Sequence, residues 1–226
     1  MTIVGFIVVV DLFMVYKIFD YPSTDPLQGE SPLKTLEPIE TPRFTPPASK
    51  NPSPTPKPSP ANQNIINLDV PFTSQAPFGE WEDPRQQDGC EEASLVMAMA
   101  WVRGKAFTLQ EAKKSITEMA DWELANYGFY QDTSAADTAK LMREYYGHTN
   151  VEVRKGIDTD DILAELEKGN LIIIPSNGQR LGNPNFTNGG PPVHMLVVKG
   201  YDRNTREFIT NDPGTRKGAD YRYDAS

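Results

Sequence analysis

A long segment rich in proline, serine and threonine limits where this chain of 226 residues can build a folded domain. The segment covers residues 21–63, and in the run from Asn51 to Pro60 every second residue is proline. Such a composition cannot bury enough apolar surface to form a core, and it favours the extended polyproline II conformation. We therefore predict a disordered linker at residues 21–63, with a reach of about 130 Å at ~3.1 Å per residue. Residues 64–226 are long enough to bury a core of their own.

The residues before this linker form a candidate membrane anchor. From Thr2 to Phe19 nearly all side chains are apolar, and Asp11 and Lys17 interrupt the run. The basic region and the small-residue cleavage site of a secretory signal peptide are both missing from the sequence given. On the insertion scale the apolar side chains narrowly outweigh the central aspartate, which costs about 3 kcal/mol. We predict a single-pass transmembrane segment at residues 1–20.

Two features of the sequence disagree about the side of the membrane on which the domain lies. Lys17 lies on the C-terminal flank of the apolar run, and a positive charge there favours a cytoplasmic domain. The proline-rich segment, in contrast, is typical of a stalk that holds a domain away from the bilayer. We give more weight to the stalk and expect an extracytoplasmic domain on a cell membrane.

Composition excludes several classes of function. A net charge of −9 argues against nucleic acid as a partner. One cysteine cannot form an intrachain disulfide, and together with two distant histidines it does not make a recognisable zinc site. The sequence contains no glycine-rich phosphate loop after a strand. We therefore expect neither a metal nor an organic cofactor.

Capping patterns, glycine stops and apolar runs predict helices first and strands last. Helices are predicted at residues 90–102, 108–120, 134–146 and 158–168. Strands are predicted at residues 67–70, 171–175, 193–199 and 206–210. This order is typical of an α+β domain with an antiparallel sheet.

The one cysteine of the chain lies where the first of these helices is predicted to begin. Asp88 and Glu91 have the spacing of a capping box, which puts Cys90 in the first helical turn. Free N–H groups and the helix dipole favour a thiolate there, whereas the carboxylates of Glu91 and Glu92 disfavour one. Cys90 is therefore either a nucleophile that a nearby histidine makes more acidic than a free thiol, or a buried inert residue.

A histidine, an Asn-Asp pair and a glutamine accompany this cysteine. His194 lies in an apolar run that reads as a buried strand, where a histidine that only fills the core is the alternative interpretation. Asn211 and Asp212 follow the predicted strand 206–210, and only one of them can meet His194, because neighbouring strand residues point to opposite faces. Asp212 also suits a β-turn, since Asn-Asp-Pro-Gly is a turn sequence.

These residues together match a site for nucleophilic catalysis. In chain order, Gln75, Cys90, His194 and either Asn211 or Asp212 would supply an oxyanion donor, a nucleophile, a base and a residue that orients the base. The order of all four favours this interpretation more than any one of them does alone.

Four segments resemble the papain-fold cysteine peptidases related to the bacteriocin-processing, double-glycine-leader enzymes. They are Leu68–Gln75, Gly89–Ser94, Gly189–Met195 and Gly200–Gly214, and the resemblance covers about residues 64–226. The chain is most similar to the stand-alone, peptidase-like branch of bacterial enzymes. The resemblance implies a papain-like fold with no cofactor.

The resemblance also implies roles for individual residues. Cys90 corresponds to the nucleophile, His194 to the general base, Asp212 to its orienting partner and Gln75 to the side-chain oxyanion donor. Leader peptidases often carry Asp-Cys-Gly-Pro at the nucleophile, whereas this chain has Gly-Cys-Glu-Glu. Gln75 is also farther from the cysteine than in papain-type sites, so Gln87 is the alternative donor. No segment here resembles a transporter, so the double-glycine substrate does not carry over.

Our hypothesis from the sequence is a membrane-tethered thiol hydrolase that acts on a peptide, a protein or a cell-wall peptide through an acyl-enzyme on Cys90. A cell-wall peptidoglycan amidase or endopeptidase is one alternative, and a non-catalytic binding module on a papain-like fold is another. The long loop 176–192 is either a wall of the substrate cleft or a plain surface loop. Residues 221–226 carry no signal of a closing element, which is typical of a truncated chain.

Overall fold

A computed structural model describes residues 64–225 of the protein, together with two short strands near the N terminus. The strands are β1 Phe6–Val8, β2 Phe13–Tyr16, β3 Ile65–Asn67, β4 Glu152–Lys155, β5 Ile172–Ser176, β6 His194–Asp202, β7 Glu207–Asn211 and β8 Tyr221–Asp224. The helices are α1 Pro84–Gln87, α2 Cys90–Val102, α3 Leu109–Tyr127, α4 Ala135–Tyr146, α5 Thr159–Glu167 and α6 Gly178–Leu181.

Strand β6 is the centre of the sheet. It pairs with β5 and then with β3 along one edge and with β7 along the other, and β8 lies outside β7. All these pairs are antiparallel, as predicted. A Cβ atom on Gly200 would lie 2.2 Å from the carbonyl oxygen of Ile66, so only glycine lets β3 approach β6 here. The chain is thus an α+β domain.

Both faces of β6 are covered, and alternate residues enter two different apolar clusters. Met195 and Val197 pack in the larger cluster with residues of α2, α3 and α4. Leu196 and Val198 pack in a second cluster with residues of α5. This double burial explains why β6 reads as a continuous apolar run rather than an alternating one.

Helix α2 lies at the centre of the larger cluster. Its first ten residues, Cys90 to Met99, are all buried, and the helix packs against β6, α3 and α4. A helix that is buried on every side carries no polar face, which agrees with its nearly uniform apolar sequence. Burial extends to the very first turn, and this places the cysteine and two glutamates inside the protein.

Of the two predicted capping boxes, the one at Thr108 is present at the start of α3, and the one at Asp88 is wrong. Ser134 and Asp158 also form capping boxes, at the predicted starts of α4 and α5. At α2 the capping residue is Gly89, which has no side chain to accept a hydrogen bond. The Asp88 carboxylate instead accepts a hydrogen bond from the Gln131 amide at 2.7 Å, which ties the start of α2 to the loop before α4.

The predicted boundaries differ from the observed ones in a few places. Helix α3 continues to Tyr127 rather than ending near Ala120, because no breaker occurs until Gly128, which adopts a left-handed conformation with φ 83°. The first predicted strand, 67–70, is observed as β3 at Ile65–Asn67. Strands β4 and β8 and helices α1 and α6 were not predicted, and each is only four residues long.

The described pieces of the predicted membrane segment at residues 1–20 are strands and not a helix. These two pieces, β1 and β2, pair with β4 and β5 in the sheet, which suits a sequence rich in valine, isoleucine and phenylalanine. Within the described residues, the structure holds no helix whose length and apolar character would let it cross a bilayer. The other residues of this segment, and the predicted linker 21–63, lie outside the described part of the chain.

Candidate active site

Cys90 is the first residue of α2 and lies against the beginning of β6. Only 7% of its surface is exposed. The backbone N–H of Met195, at the second position of β6, faces the thiol and acts to lower its pKa. The fold therefore brings the start of the central helix to the start of the central strand, where His194 is the first residue.

His194 and Asp212 form a buried pair beside this point. The imidazole Nε2 donates to Asp212 Oδ1 at 2.8 Å, and both side chains are almost fully buried. Because β7 runs antiparallel to β6, the residue after β7 returns toward His194. With Nε2 held by the carboxylate, Nδ1 is the ring nitrogen that can accept a proton.

Asp212 stays ionised because several donors surround it. Burial alone would raise its pKa, but the hydrogen bond and charge of His194, the Tyr223 hydroxyl and the Gly214 N–H outweigh burial and hold the pKa below its ordinary value. Tyr223 donates to Asp212 Oδ2 at 2.5 Å, and the Gly214 N–H donates to Oδ1 at 2.9 Å. An ionised Asp212 favours an imidazolium at His194.

Tyr223 and Asn183 extend this hydrogen-bonded chain and were missed at the sequence level. The Asn183 amide donates to the Tyr223 hydroxyl at 2.8 Å, and the hydroxyl in turn donates to Asp212. Burial, followed by the charge of Asp212, raises the pKa of Tyr223, which therefore keeps its proton. Tyr223 lies on β8, and four residues at the end of a chain give no sequence signal of a site.

The loop between β5 and β6 contributes directly to the site. Besides Asn183, it supplies Phe186, whose ring meets the His194 ring edge to face with centroids 5.3 Å apart. Phe186 is buried. The loop therefore packs against the imidazole and is more than a plain surface loop.

Asn211 has a structural task rather than a place beside His194. Its amide donates to the carbonyl of Val70 at 3.0 Å, and its oxygen accepts the backbone N–H of Asp220 at 3.3 Å. The first bond joins β7 to the segment before Gln75, and the second joins it to the residue before β8. Of the two neighbouring candidates, Asp212 is thus the one that the structure pairs with the histidine.

Gln75 is held between the residues that precede Cys90 and the segment that follows Asp212. Its side-chain Nε2 donates to the carbonyl of Gln87 at 2.6 Å, and its backbone N–H donates to the carbonyl of Pro213 at 2.9 Å. The side chain of Gln75 is buried, whereas Gln87 is exposed. The structure therefore fixes the buried Gln75 side chain against the residues that precede Cys90, and in this contact only the backbone of Gln87 takes part.

Three buried carboxyl groups lie next to Cys90, on the side of the helices. Glu91 and Glu92 share the first turn of α2, and Glu123 reaches them from α3; none exceeds 1% exposure. Burial raises the pKa of Glu91 to about 8 and that of Glu123 to about 7. Burial and the charges of Glu91 and Glu123 raise the pKa of Glu92 well above its ordinary value.

The acidity of Cys90 differs from the sequence-based expectation. We expected a thiol more acidic than a free one, but burial raises its pKa well above the ordinary value, and the charge and hydrogen bond of Glu91 add to this. In the described part of the chain the thiol is hydrogen-bonded to Glu91 Oε2 at 3.0 Å, and not to His194. The benefit of the helix N-terminus is smaller than the cost of removing a thiolate from water.

Comparison with known proteins finds a family model that matches most of the chain. The model of the Peptidase_C39-like family matches residues 67–226, which contain every element from the segment before Gln75 to β8. No curated protein and no solved structure matches the chain significantly. Within the described residues, no group of three or more histidine, cysteine, aspartate or glutamate side chains could hold a metal ion.

Replacing Tyr223 by phenylalanine tests the hydrogen-bonded chain behind His194. The change removes the donor to Asp212 Oδ2 and leaves a buried carboxylate oxygen and the Asn183 amide without a partner. We expect a loss of about 1–3 kcal/mol in the free energy of unfolding, measured by urea denaturation at pH 7. Tyr221→Phe is the matched control, because that hydroxyl makes no hydrogen bond within residues 64–225. Equal losses for the two variants would mean that the Tyr223 bond contributes nothing specific.

The buried carboxyl groups predict that the domain is more stable at pH 5 than at pH 8. Their pKa values are higher in the folded state than in the unfolded one, so the folded protein binds more protons between about pH 4.5 and pH 8. The contribution of these groups to the free energy of unfolding is fully present below this window. It is lost as the pH rises through the window, by an amount on the order of a few kcal/mol. The lowered pKa of Asp212 acts only at more acidic pH.

Urea unfolding of the full chain at pH 5 and pH 8 measures this difference. Glu123→Gln should reduce it, since the amide cannot ionise. Glu118→Gln, an exposed position on the same helix, should leave it unchanged. If the urea concentration at the midpoint of unfolding were higher at pH 8 than at pH 5, these carboxyl groups would not be protonated in the folded protein.

Proposed function

The chain belongs to the Peptidase_C39-like family, and we propose that its domain is a cysteine peptidase with Cys90 as nucleophile. The family is one of peptidases, so its substrates are peptides or proteins. The observation that carries the proposal is the buried His194–Asp212 pair at the strand end that packs against the helix beginning with Cys90. A histidine that only filled the core would not need an ionised aspartate behind it, held in turn by Tyr223 and Asn183.

The proposed reaction passes through an acyl-enzyme. His194 Nδ1 takes the proton of Cys90, and the sulfur bonds to the carbonyl carbon of the substrate. The C–N bond breaks as His194 returns this proton to the leaving amine. Water then attacks the thioester while His194 takes one of its protons, and the proton goes back to the sulfur as the acid product leaves. Asp212 stabilises the imidazolium in both steps.

The oxyanion of each tetrahedral intermediate needs donors on the other side of the sulfur. We assign this role to the backbone N–H of Cys90 and to the side-chain amide of Gln75. One N–H of that amide already bonds to the Gln87 carbonyl, and this contact orients the group and leaves its second N–H for the substrate.

Hydrolysis by the full chain tests the proposal. Protein substrates, a peptide library and cell-wall muropeptides are offered in parallel, because the chemistry of the site suits any peptide or amide bond. Cleavage should vanish in Cys90→Ala and fall on the order of a hundredfold or more in Asp212→Asn, which keeps the shape of the side chain but not its charge. Asp220→Asn, an exposed carboxylate near the site, is the control and should stay close to wild type.

Gln75→Ala separates the oxyanion role from substrate binding. A donor to the transition state should lower kcat by about a hundredfold with little change in KM. No cleavage of any substrate class by a folded protein, with Cys90 no more reactive than a model thiol, would favour the non-catalytic binding module instead.

A membrane tether at residues 1–20 remains a prediction from the sequence. The apolar run and the proline-rich segment support it, and the pairing of β1 and β2 in the sheet counts against a helical span. Carbonate extraction of cells that produce the full chain distinguishes the two, since an integral protein stays in the membrane fraction. If it does, digestion of intact cells with external protease then tests our expectation that the domain lies outside the cytoplasm.

A further inference from the structure

Glu91 is the side chain in contact with the reacting sulfur, and the mechanism above gives it no task. Its Oε2 lies 3.0 Å from Cys90 Sγ, and its Oε1 is buried without a hydrogen-bond partner in the described part of the chain. The side chain is 1% exposed, so water does not screen it. A carboxyl group at this position must affect the thiolate, and the direction of the effect depends on its proton.

Several acidic groups face Glu91 from the helical side. Glu92 is its neighbour on α2, Glu123 approaches from α3, and Asp132 lies in the loop before α4. Asp137, at the start of α4, acts on Glu123 in turn. The imidazole of His194 lies on the other side, at the start of β6. Three further carboxyl groups around a buried fourth make it costly for all of them to carry a charge.

The charge on Glu91 decides whether a thiolate can form beside it. Two full negative charges at 3 Å in a buried site repel each other strongly, and the dipole of α2 compensates only a small part of this repulsion. A neutral carboxyl group has the opposite effect, because its O–H is a hydrogen-bond donor that favours an anionic sulfur. The raised pKa of Glu91, about 8, is consistent with the neutral form at neutral pH.

We propose that Glu91 carries a proton in the working enzyme and donates a hydrogen bond to the Cys90 thiolate. Glu91 then acts on the nucleophile as the Met195 N–H does, and the negative cluster behind it keeps its proton in place. In the resting thiol form the contact is reversed, with the thiol donating to a carboxyl oxygen. The inference rests on the proposed function, since it assigns a role in forming the nucleophile.

Alkylation of Cys90 by iodoacetamide tests the inference without any substrate. Glu91→Leu keeps the approximate size but has neither charge nor donor, and we expect it to slow labelling at pH 7 about tenfold, as a thiol pKa raised by one unit does. Glu91→Gln keeps an N–H donor and should be slowed much less. Glu118→Gln on the exposed face of α3 controls for removal of a carboxylate elsewhere. Circular dichroism melting establishes that each variant is folded.

The opposite result identifies an ionised Glu91. If the carboxylate were charged and repelled the thiolate, Glu91→Leu would speed labelling rather than slow it, and the proposal would be overturned. The pH profile gives a second measurement if the leucine variant does not fold. Between pH 7 and pH 9 the labelling rate of Glu91→Gln should increase about threefold more than that of the wild-type protein. The reason is that only the wild-type protein gains a negative charge at position 91 in this range. If the labelling rates of Glu91→Gln and the wild-type protein increased in parallel with pH, the proposal would also be overturned.

Failure of the inference and failure of the proposed function are distinguishable. If no substrate is cleaved but Glu91→Leu is labelled more slowly than Glu91→Gln and the wild-type protein, the peptidase assignment is wrong and the role of Glu91 is supported. If peptides are cleaved and Glu91→Leu labels as fast as wild type, the assignment stands and the role of Glu91 falls.

Discussion

The buried hydrogen bond between His194 and Asp212 is the interaction on which the rest of the site depends. It requires that β6 and β7 pair in one register, that the chain return at Gly214 to donate to the carboxylate, and that β8 deliver the Tyr223 hydroxyl. A buried carboxylate without these partners would take up a proton and lose its hold on the imidazole. The sheet therefore serves as the frame that keeps one aspartate ionised.

The same burial creates an electrostatic problem at Cys90. The first turn of α2 must be buried to bring the sulfur to β6, and this brings Glu91 and Glu92 inside with it. Ordinary ionised glutamates there would prevent a thiolate from forming, whereas neutral ones would not. The two halves of the site thus differ in their chemistry. Donors around Asp212 hold its pKa below the ordinary value, whereas burial, together with neighbouring acids, raises the pKa of Glu91 to about 8.

Much of the fold could be predicted from the sequence, because its signals are local. The capping residues Thr108, Ser134 and Asp158 mark helix starts by the hydrogen bonds they make within one turn. The long apolar run of β6 marks a strand that is covered on both faces. The short elements β4 and β8 escaped prediction since four residues hold too little periodicity, and their positions are set by tertiary pairing.

The sequence predicts the order of the candidate site residues but not their surroundings. The spacing of Cys90, His194 and the Asn-Asp pair is visible in the sequence, yet only the register of β7 decides that Asp212 meets the histidine. Tyr223 and Asn183 could not be found, because a hydroxyl 11 residues beyond the aspartate carries no motif. The contact of Glu91 with the thiol could not be found either, because it depends on the tertiary packing that buries the first turn of α2.

One measurement tests the central claim, that Cys90 is a nucleophile served by His194, most directly. The full chain is incubated at neutral pH with an epoxysuccinyl peptide, which reacts with active-site thiols of cysteine peptidases, and its intact mass is followed with time. We predict a mass increase of one inhibitor per chain, located at Cys90 by peptide mapping and slowed strongly in His194→Ala. A chain that stays unmodified, or that reacts at the same rate without His194, would contradict the account.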